Sequence, residues 1–503
     1  MTIAGIGTGS ALAAQNAQSL VNMQNQLDQL SQQLSTGQKS QDYAGLGSQA
    51  GLTVGLDAQL SALNGYGNAV SLAGTNISVA QNALSEIGTV SNGVQQSIAE
   101  PSTFTLNNNG QTTVQSAAAS QLDTILSALN SQAAGNYLFS GSAANQPAVA
   151  STDAILNGTG SQAGLKQVIA ERAQADVGTN GLGRLVIPPA SGTTVWISED
   201  VAGSPFGFKL AGVNSSLTGA TVAGPSGTPP GITVNLGANP NNGDTLQFGL
   251  TLPDGSNQSV TLQATSASPP GANQFTIGAT PAATAANLQT ALTAAIGNLA
   301  QTALPAASAI AAANDFFTLN PPQRVAGPPF GTATALVNGT SANTVTWYTG
   351  DSGATPARST ALAQVGPSTT VAYGVRANEP ALSNIVANIA ALAATSYAPS
   401  DPNAAASYTA LTQRVAANLN GPSGSQTLSD IQSDLANAQS TINNAKTVNQ
   451  QTQNTLTNML QQIEGVSSDQ VGAQILTLQT NLRASMEVTG MLAQLSLVNF
   501  LPA

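Results

Sequence analysis

The side chains of this chain that could serve acid–base or metal chemistry are mostly carboxylates, because its 503 residues include no histidine and no cysteine. Ser-His-Asp triads, HExxH zinc sites, imidazole bases, thiol nucleophiles and disulfides are therefore excluded. Acids such as Asp244 and Asp254 stand among turn-forming residues, and no spacing between acids indicates a catalytic or metal-binding pair. We predict no enzymatic activity, no cofactor and no metal site.

Charge is scarce along the whole chain. Its 22 acids and 11 bases make up 7% of the residues and give a net charge of −11, whereas about 25% of residues are charged in an average soluble protein. The bases are scattered, and Lys39 is the only one among the first 165 residues. Because no basic patch can neutralise phosphates or anionic lipid head groups, we predict no nucleic-acid partner and no membrane-surface partner.

No segment predicts membrane insertion or a cleaved leader. A spanning helix needs about 18 consecutive apolar residues, and the chain has no such run. The first ten residues, MTIAGIGTGS, lack the basic n-region of a signal peptide and contain three glycines. We expect no membrane insertion and no cleaved signal peptide.

The clearest pattern is a stripe of apolar residues at helical spacing near each end of the chain. Its members near the start are Leu20, Met23, Leu27, Leu30 and Leu34. Steps that alternate between three and four residues give the heptad period of a helix that packs along another helix. Turn-forming residues interrupt the stripe at 35–48. A second stripe then runs over 56–98 and ends before Pro101, and a third helical stretch covers about 112–134.

The far end of the chain carries the same pattern. A stripe over 428–463 predicts one helix of 36 residues, in which Asn449 and Thr452 take stripe positions. Those two polar residues either fix the register of the helices or are harmless irregularities. A last stripe over 471–495 leads into the apolar stretch LSLVNFL. The outer faces carry Gln, Asn, Ser and Thr, which neighbours can bury without desolvating ions.

Between about 140 and 375 the sequence changes to short β-type runs separated by Gly, Pro and Asn turns. LPDGSNQ at 252–258 predicts a hairpin, and TVTWYTG at 344–350 is one of the predicted strands. Trp196 and Trp347 are interpreted as core anchors. One helix interrupts the strands at about 282–301, and helical stretches at about 378–396 and 402–418 follow them.

These patterns predict an α+β multidomain fold. Long N- and C-terminal helices would pack antiparallel as a coiled-coil rod, with a β-rich variable insertion at its tip. The predicted regions are 1–145 (N-terminal helical), 146–370 (β-rich and surface-exposed) and 371–503 (C-terminal helical). The change in composition at both ends of the middle region indicates separate domains.

Several stretches resemble the bacterial flagellin family. LDQLSQQLSTGQKSQDYAG at 27–45 resembles its N-terminal segment, in which a leucine stripe runs into Ser/Thr-Gly, a basic residue and Asp-x-Ala-Gly. GTNISVAQNALSEIGTVSNGVQQ at 74–96 resembles the helix that follows. GNYLFSG at 135–141, VAYGVRANEP at 371–380 and LSLVNFL at 495–501 are more typical of the hook–filament junction protein, a flagellin relative.

The resemblance covers roughly 1–145 and 370–503 and implies a structural subunit of the bacterial flagellum. Such a subunit is exported by the flagellar type III apparatus and polymerises through its helical termini into the extracellular filament that drives swimming motility. The implied partners are other copies of the chain in a helical filament, hook-associated proteins and a flagellar export chaperone. The residues expected at the assembly interface are Leu20, Leu27, Leu34, Leu482, Leu492, Leu495 and Phe500.

Two other functions stay open at this point. The hook–filament junction protein fits the segments named above, although a middle region of more than 200 residues favours a filament subunit with a decorated surface. A surface adhesin or fibre protein, of a different class, also combines helical stalks with β-rich tips. Flagellins that the mammalian innate receptor recognises carry arginines where TVSNGVQQSIAE at 89–100 has none, so we do not expect that recognition.

The apolar end of the chain gives the first testable prediction. We expect that deleting 495–503 leaves a soluble, exportable chain that does not assemble, because the deletion removes the large apolar side chains of the terminal stretch, among them Leu495, Leu497, Phe500 and Leu501. Electron microscopy of the purified chain under polymerising conditions measures the outcome. Normal filaments from the truncated chain would contradict it.

Overall fold

The structure, a computed structural model, describes residues 7–100 and 103–498 and has an α+β fold. Eleven α-helices lie in this described part. They are α1 (Gly7–Thr36), α2 (Ala50–Ala99), α3 (Thr113–Leu129), α4 (Thr152–Asn157), α5 (Leu165–Val177), α6 (Pro281–Gln301), α7 (Ala303–Thr318), α8 (Pro380–Ala394), α9 (Ala404–Asn418), α10 (Leu428–Glu464) and α11 (Ser468–Val498). Within the same residues, no helix is long and apolar enough to cross a membrane.

The long helices begin and end close to the predicted stripes. Helix α10 begins at Leu428, where Thr427 and Asp430 form a reciprocal cap. The Thr427 hydroxyl accepts a hydrogen bond from the Asp430 N–H at 3.2 Å, and the Asp430 carboxylate accepts one from the Thr427 N–H at 2.8 Å. This arrangement satisfies two polar groups at the end of the helix and fixes where it starts.

The described strands are short and lie between Gln132 and Ala372. They are β1 (Gln132–Ala133), β2 (Asn136–Tyr137), β3 (Leu185–Val186), β4 (Thr194–Glu199), β5 (Lys209–Ser215), β6 (Ala220–Ser226), β7 (Gly231–Leu236), β8 (Thr245–Thr251), β9 (Asn257–Thr265), β10 (Gln274–Thr276), β11 (Gln323–Val325), β12 (Leu336–Asn338), β13 (Leu362–Gln364) and β14 (Thr370–Ala372). Two four-stranded sheets have the orders β3-β4-β7-β6 and β10-β9-β8-β5, and the remaining strands form two-stranded pairs. The predicted hairpin is confirmed: β8 and β9 pair antiparallel, and the Leu252 N–H donates to the Ser256 carbonyl at 2.9 Å across the turn.

Helix α6 provides the core on which both four-stranded sheets pack. Its residues Leu288, Leu292 and Ile296 are fully buried and belong to one apolar cluster with residues of both sheets. The strands meet this helix with alternate residues, as β8 shows by burying Leu246, Phe248 and Leu250 in turn. The two sheets and α6 therefore form one β-rich body.

Three sequence predictions in this region were wrong. TVTWYTG at 344–350 forms no strand and makes only single bridges, at Thr344 and Tyr348. Trp347 is buried as predicted and donates to the Phe317 carbonyl at 2.9 Å, whereas Trp196 is 43% exposed on β4. A second helix, α7, directly follows α6; it is buried on most sides, so its sequence lacks the one-sided stripe that would have predicted it.

The chain divides into two compact units, which we call unit 1 and unit 2. Unit 1 consists of residues 1–72, 364–370 and 441–503, and unit 2 consists of residues 73–363 and 371–440. Unit 2 contains the sheets and helices α3 to α9, and unit 1 contains α1, α11 and parts of α2 and α10. The regions predicted from the sequence, 1–145, 146–370 and 371–503, were defined by changes in composition, whereas the two units are defined by compactness. The predicted regions stay a prediction.

The buried face of α6 predicts a large stability loss on truncation. Leu288→Ala should lower the free energy of unfolding of unit 2 by about 2–5 kcal/mol, because it leaves a cavity at a fully buried side chain. Leu362→Ala is the matched control, since Leu362 is 59% exposed in the same unit, and it should change stability by about 0.5 kcal/mol or less. Denaturant unfolding followed by tryptophan fluorescence measures both variants. Equal effects would contradict the assigned core.

Candidate assembly surface

Helices α1 and α11 lie side by side in unit 1 and run in opposite directions. They contact each other, and the turn that follows α1 is hydrogen-bonded to the residues just before α11. One groove of about 630 Å³ lies between them and is lined by Gln33 and Gln470 towards one end and by Gln26 and Asn481 towards the other. The stripe of each terminal helix thus faces the other terminal helix within one chain.

The stripes of α1 and α11 are only half-buried by this pairing. Half-buried side chains of α1 include Leu20, Met23, Leu27 and Leu30, and those of α11 include Ile475, Leu478 and Leu482. In a tightly packed coiled coil, each apolar side chain of the heptad stripe inserts between side chains of the facing helix and is largely buried. A pair of helices leaves part of each stripe accessible, and that part is available to further helices.

The predicted interface residues fall into three groups. Leu20, Leu27 and Leu482 lie half-buried on the α1–α11 pair. Leu34 is 42% exposed in the last turn of α1, just before the chain leaves the helix. The side chains of Leu492 and Leu495, and the whole of Phe500, lie outside the described residues. The role of all seven as assembly contacts stays a prediction.

Lys39, in the turn after α1, is hydrogen-bonded to the end of α10, and we call this contact the Lys39 tie. The sequence patterns did not predict it. The Lys39 ammonium donates to the Ile463 carbonyl at 2.7 Å, and the Lys39 N–H donates to the Glu464 carbonyl at 2.6 Å. Carbonyls at the last turn of a helix have no partner in the helix and carry partial negative charge, which a lysine satisfies. The only base in the first 165 residues therefore caps the end of α10.

Two glycines lie at this contact, and each has its own local structural reason. Gly37 has a φ of 70°, which disfavours any other residue. The Val466 N–H donates to the Gly37 carbonyl at 3.0 Å. A Cβ on Gly465 would overlap the Gln461 carbonyl oxygen. The STGQK segment at 35–39 thus has a local structural reason for its glycine and its lysine.

The next residues of the same segment form a capped 3₁₀ turn at Tyr43–Gln49. The Asp42 carboxylate accepts hydrogen bonds from the Gly45 N–H at 3.0 Å and from the Ser40 hydroxyl at 3.1 Å. The Tyr43 hydroxyl donates to the Asp57 carboxylate of α2 at 2.9 Å. That bond, together with the negative charge of Asp57, raises the pKa of Tyr43 above its ordinary value.

Helices α2 and α10 form the second packed stripe of unit 1. Their shared cluster contains the buried side chains of Leu56, Leu63, Leu456 and Ile463. Asn449 of α10 is buried. Its amide donates to the Val365 carbonyl at 2.9 Å, so it anchors the turn between β13 and β14. Thr452 is exposed, and its hydroxyl bonds to the Val448 carbonyl of its own helix. Asn449 therefore has a specific partner, and Thr452 is an irregularity in the stripe.

Exposed apolar side chains are concentrated in unit 1. Twelve of the seventeen large apolar side chains that are exposed in the described part belong to this smaller unit. They are Val21, Leu34, Tyr43, Leu52, Val54, Leu72, Val448, Met459, Leu476, Met486, Val488 and Met491. Leu476 and Met491 of α11 are the most exposed, at 66% and 65%. Exposed apolar surface is typical of protein-association sites where it is contiguous, so unit 1 is the candidate assembly surface of this chain.

The helices that carry this surface have almost no charge. Asp28 is the only charged residue of α1, and α11 has only Asp469, Arg483 and Glu487. Burying an ion costs several kcal/mol unless a partner compensates it. Glutamine, asparagine, serine and threonine can instead exchange hydrogen bonds with a neighbour. The surface can therefore be covered by another chain at low electrostatic cost.

The carboxylates singled out in the sequence have structural partners. Asp244 accepts hydrogen bonds from the Thr218 and Asn241 N–H groups at 2.8 and 2.9 Å, and these bonds lower its pKa. Asp254 is buried and pairs with Arg414 at 2.8 Å. In residues 7–100 and 103–498 no three acidic side chains come together as a metal site would require.

Two of the segments that carry the family resemblance meet in unit 2. The Phe139 carbonyl of GNYLFSG accepts a hydrogen bond from the Ala377 N–H of VAYGVRANEP at 2.8 Å, and Ser140 and Arg376 form a β-bridge. No family model and no curated protein matches the chain. The family resemblance therefore stays a prediction that rests on these sequence segments.

The Lys39 tie yields a prediction about local stability. Lys39→Met should accelerate amide hydrogen exchange in residues 37–49 and 461–467 by roughly 5- to 30-fold, which corresponds to about 1–2 kcal/mol for a charge-assisted hydrogen bond. Lys446→Met is the matched control, because Lys446 is exposed on α10 and has no ion pair among the described residues. Exchange measured by mass spectrometry tests both variants. Unchanged protection of these segments in Lys39→Met would contradict the tie.

Proposed function

We propose that this chain is a structural subunit of the bacterial flagellum and that it polymerises through its terminal helices into the extracellular filament used for swimming. The observation that carries the proposal is the concentration of exposed apolar side chains on the nearly uncharged helices of unit 1. The flagellin-like segments of the sequence indicate that the assembly in which such a surface would be buried is the flagellar filament. The rod-like arrangement of the termini, with the β-rich region at its tip, is part of the same proposal.

The available apolar surface can supply the energy of assembly. Burying a fully exposed leucine or methionine stabilises a complex by roughly 1.5–3 kcal/mol, and association itself costs roughly 4–15 kcal/mol. Four large apolar side chains of α11 alone are exposed, namely Leu476, Met486, Val488 and Met491. A subunit that contacts several neighbours through these and the half-buried stripes would gain enough to offset the cost.

Filament geometry follows from the kind of contact. The exposed apolar side chains of α11 and those near the start of α2 lie on different helices of unit 1. When one surface of a subunit binds a different surface of the next, the contact is heterologous and generates a helical array. Other copies of the chain would then be its main partners, with hook-associated proteins at the ends and an export chaperone before secretion.

The hook–filament junction protein is the second candidate, and one observation favours it. GNYLFSG and VAYGVRANEP, the two described segments typical of that protein, pair through their backbones although they lie more than 230 residues apart. The copy number separates the two candidates. Sheared, purified filaments would contain this chain as the major band on a gel if it is the filament subunit, and as a minor band if it is the junction protein.

The assembly surface is tested by removing apolar area that the isolated chain does not need. We expect Leu476→Gln/Met491→Gln to fold normally, because both side chains are exposed, and to raise the critical concentration for polymerisation by about tenfold or more. Val337→Gln/Leu362→Gln is the matched control, since both residues are exposed in unit 2. It should polymerise like the unaltered chain.

Sedimentation and electron microscopy measure filament formation, and circular dichroism verifies the fold of each variant. Equal polymerisation of the two double variants would overturn the assignment of the surface to unit 1. Failure of the unaltered chain to polymerise, while it is found as a minor band in native filaments, would transfer the proposal to the junction protein.

A further inference from the structure

Unit 2 contains an open cleft of about 910 Å³ that the proposed function does not use. It lies between the second half of α2, the end of α7, the start of α8 and the segment that joins α9 to α10. Amide or hydroxyl side chains occupy 15 of its 23 lining positions, and none of the 23 is acidic or basic. The volume is in the range of small-molecule sites.

Five amide side chains on the wall of this cleft have no hydrogen-bond partner among the described residues. They are Asn92, Asn314, Asn378, Asn420 and Gln432. Asn314, Asn378 and Gln432 are half-buried, so the surrounding side chains restrict their positions. Each amide offers two donors and one acceptor. Amides without a hydrogen-bond partner, from four separate segments of the chain, thus line the same cleft.

A sixth amide is fixed by its neighbour and leaves a buried acceptor unsatisfied. The Gln426 Nε2 donates to the Glu379 carboxylate at 2.9 Å, and Glu379 also pairs with Arg358. A carboxylate in an ion pair accepts hydrogen bonds only, so the orientation of the Gln426 amide is determined. Its Oε1 is buried and has no partner. A buried acceptor without a donor costs about 1–3 kcal/mol, so the fixed Gln426 amide is a strained feature of the cleft wall.

We propose that this cleft binds a neutral saccharide. Vicinal hydroxyl groups of a sugar pair with side-chain amides, because each hydroxyl both donates and accepts. A charged ligand would lose its hydration without meeting an opposite charge in the lining. A peptide with large apolar side chains would need deep apolar pockets, whereas only eight of the 23 lining positions are non-polar and none is aromatic. The proposal does not depend on the flagellar function proposed above.

The test uses the full chain and three neutral probes, namely maltotetraose, cellotetraose and N-acetylchitotetraose. Saturation-transfer NMR detects binding at millimolar concentration, and calorimetry gives the Kd. At least one probe should bind, and Asn314→Ala/Asn378→Ala should weaken that binding by about tenfold or more through the loss of two amide partners. Asn458→Ala, an exposed asparagine of α10 away from the cleft, should leave the Kd unchanged.

A second pair of variants distinguishes a blocked cleft from a misfolded protein. Ser429→Trp fills the mouth of the cleft, and Ser433→Trp places the same ring one turn further along α10, outside the cleft. Only Ser429→Trp should abolish saccharide binding. The proposal is overturned if none of the three saccharides binds, if binding survives Ser429→Trp, or if a neutral (Gly-Ser)₄ peptide binds in the cleft and the saccharides do not.

Discussion

The structure depends on a small number of charges and on where the chain places them. Seven of the 11 bases form ion pairs in the described residues, and all of these pairs lie in unit 2. Several involve buried side chains: Arg172 pairs with Asp176 inside α5 and with Asp315 of α7, and Arg324 of β11 pairs with Glu171, so α5 is held against both neighbours. Unit 1 shows no ion pair among its described residues and is held together by apolar stripes, amide hydrogen bonds and the Lys39 tie. The two units therefore achieve stability by different physical means.

This distribution explains how one chain could be both a folded body and an assembling surface. Buried ion pairs favour one specific arrangement of loops only when both partners are in place, which suits a region that must be complete in the monomer. Half-buried apolar stripes tolerate a range of partners and gain energy whenever further surface is covered. The same stripes favour aggregation of the isolated chain, and the polar amide and hydroxyl residues between them oppose it.

The sequence predicted the long helices well because one-sided burial leaves a regular stripe; the predicted span 428–463 and the observed α10 at Leu428–Glu464 illustrate this. It failed where burial is not one-sided, as in α7, and where an aromatic residue lies on the outer face of a sheet, as Trp196 does. Of the candidate surface, periodicity identified Leu20, Leu27 and Leu482. Periodicity could not identify the role of Lys39, whose partners are 424 residues or more away, nor a cleft assembled from four distant segments.

The Lys39 tie also sets the order in which the chain can fold. Synthesis proceeds from the N-terminus, so α1 and Lys39 exist long before Ile463 and Glu464 are made. Most of the stability of a helix in a protein comes from packing of its apolar face, and the partner of α1 in unit 1 is α11. Contacts at such large sequence separation are among the slowest to form. The first helix of the chain can therefore be held in place only after the last two helices have been made, whereas unit 2 has an apolar core of its own that does not involve this contact.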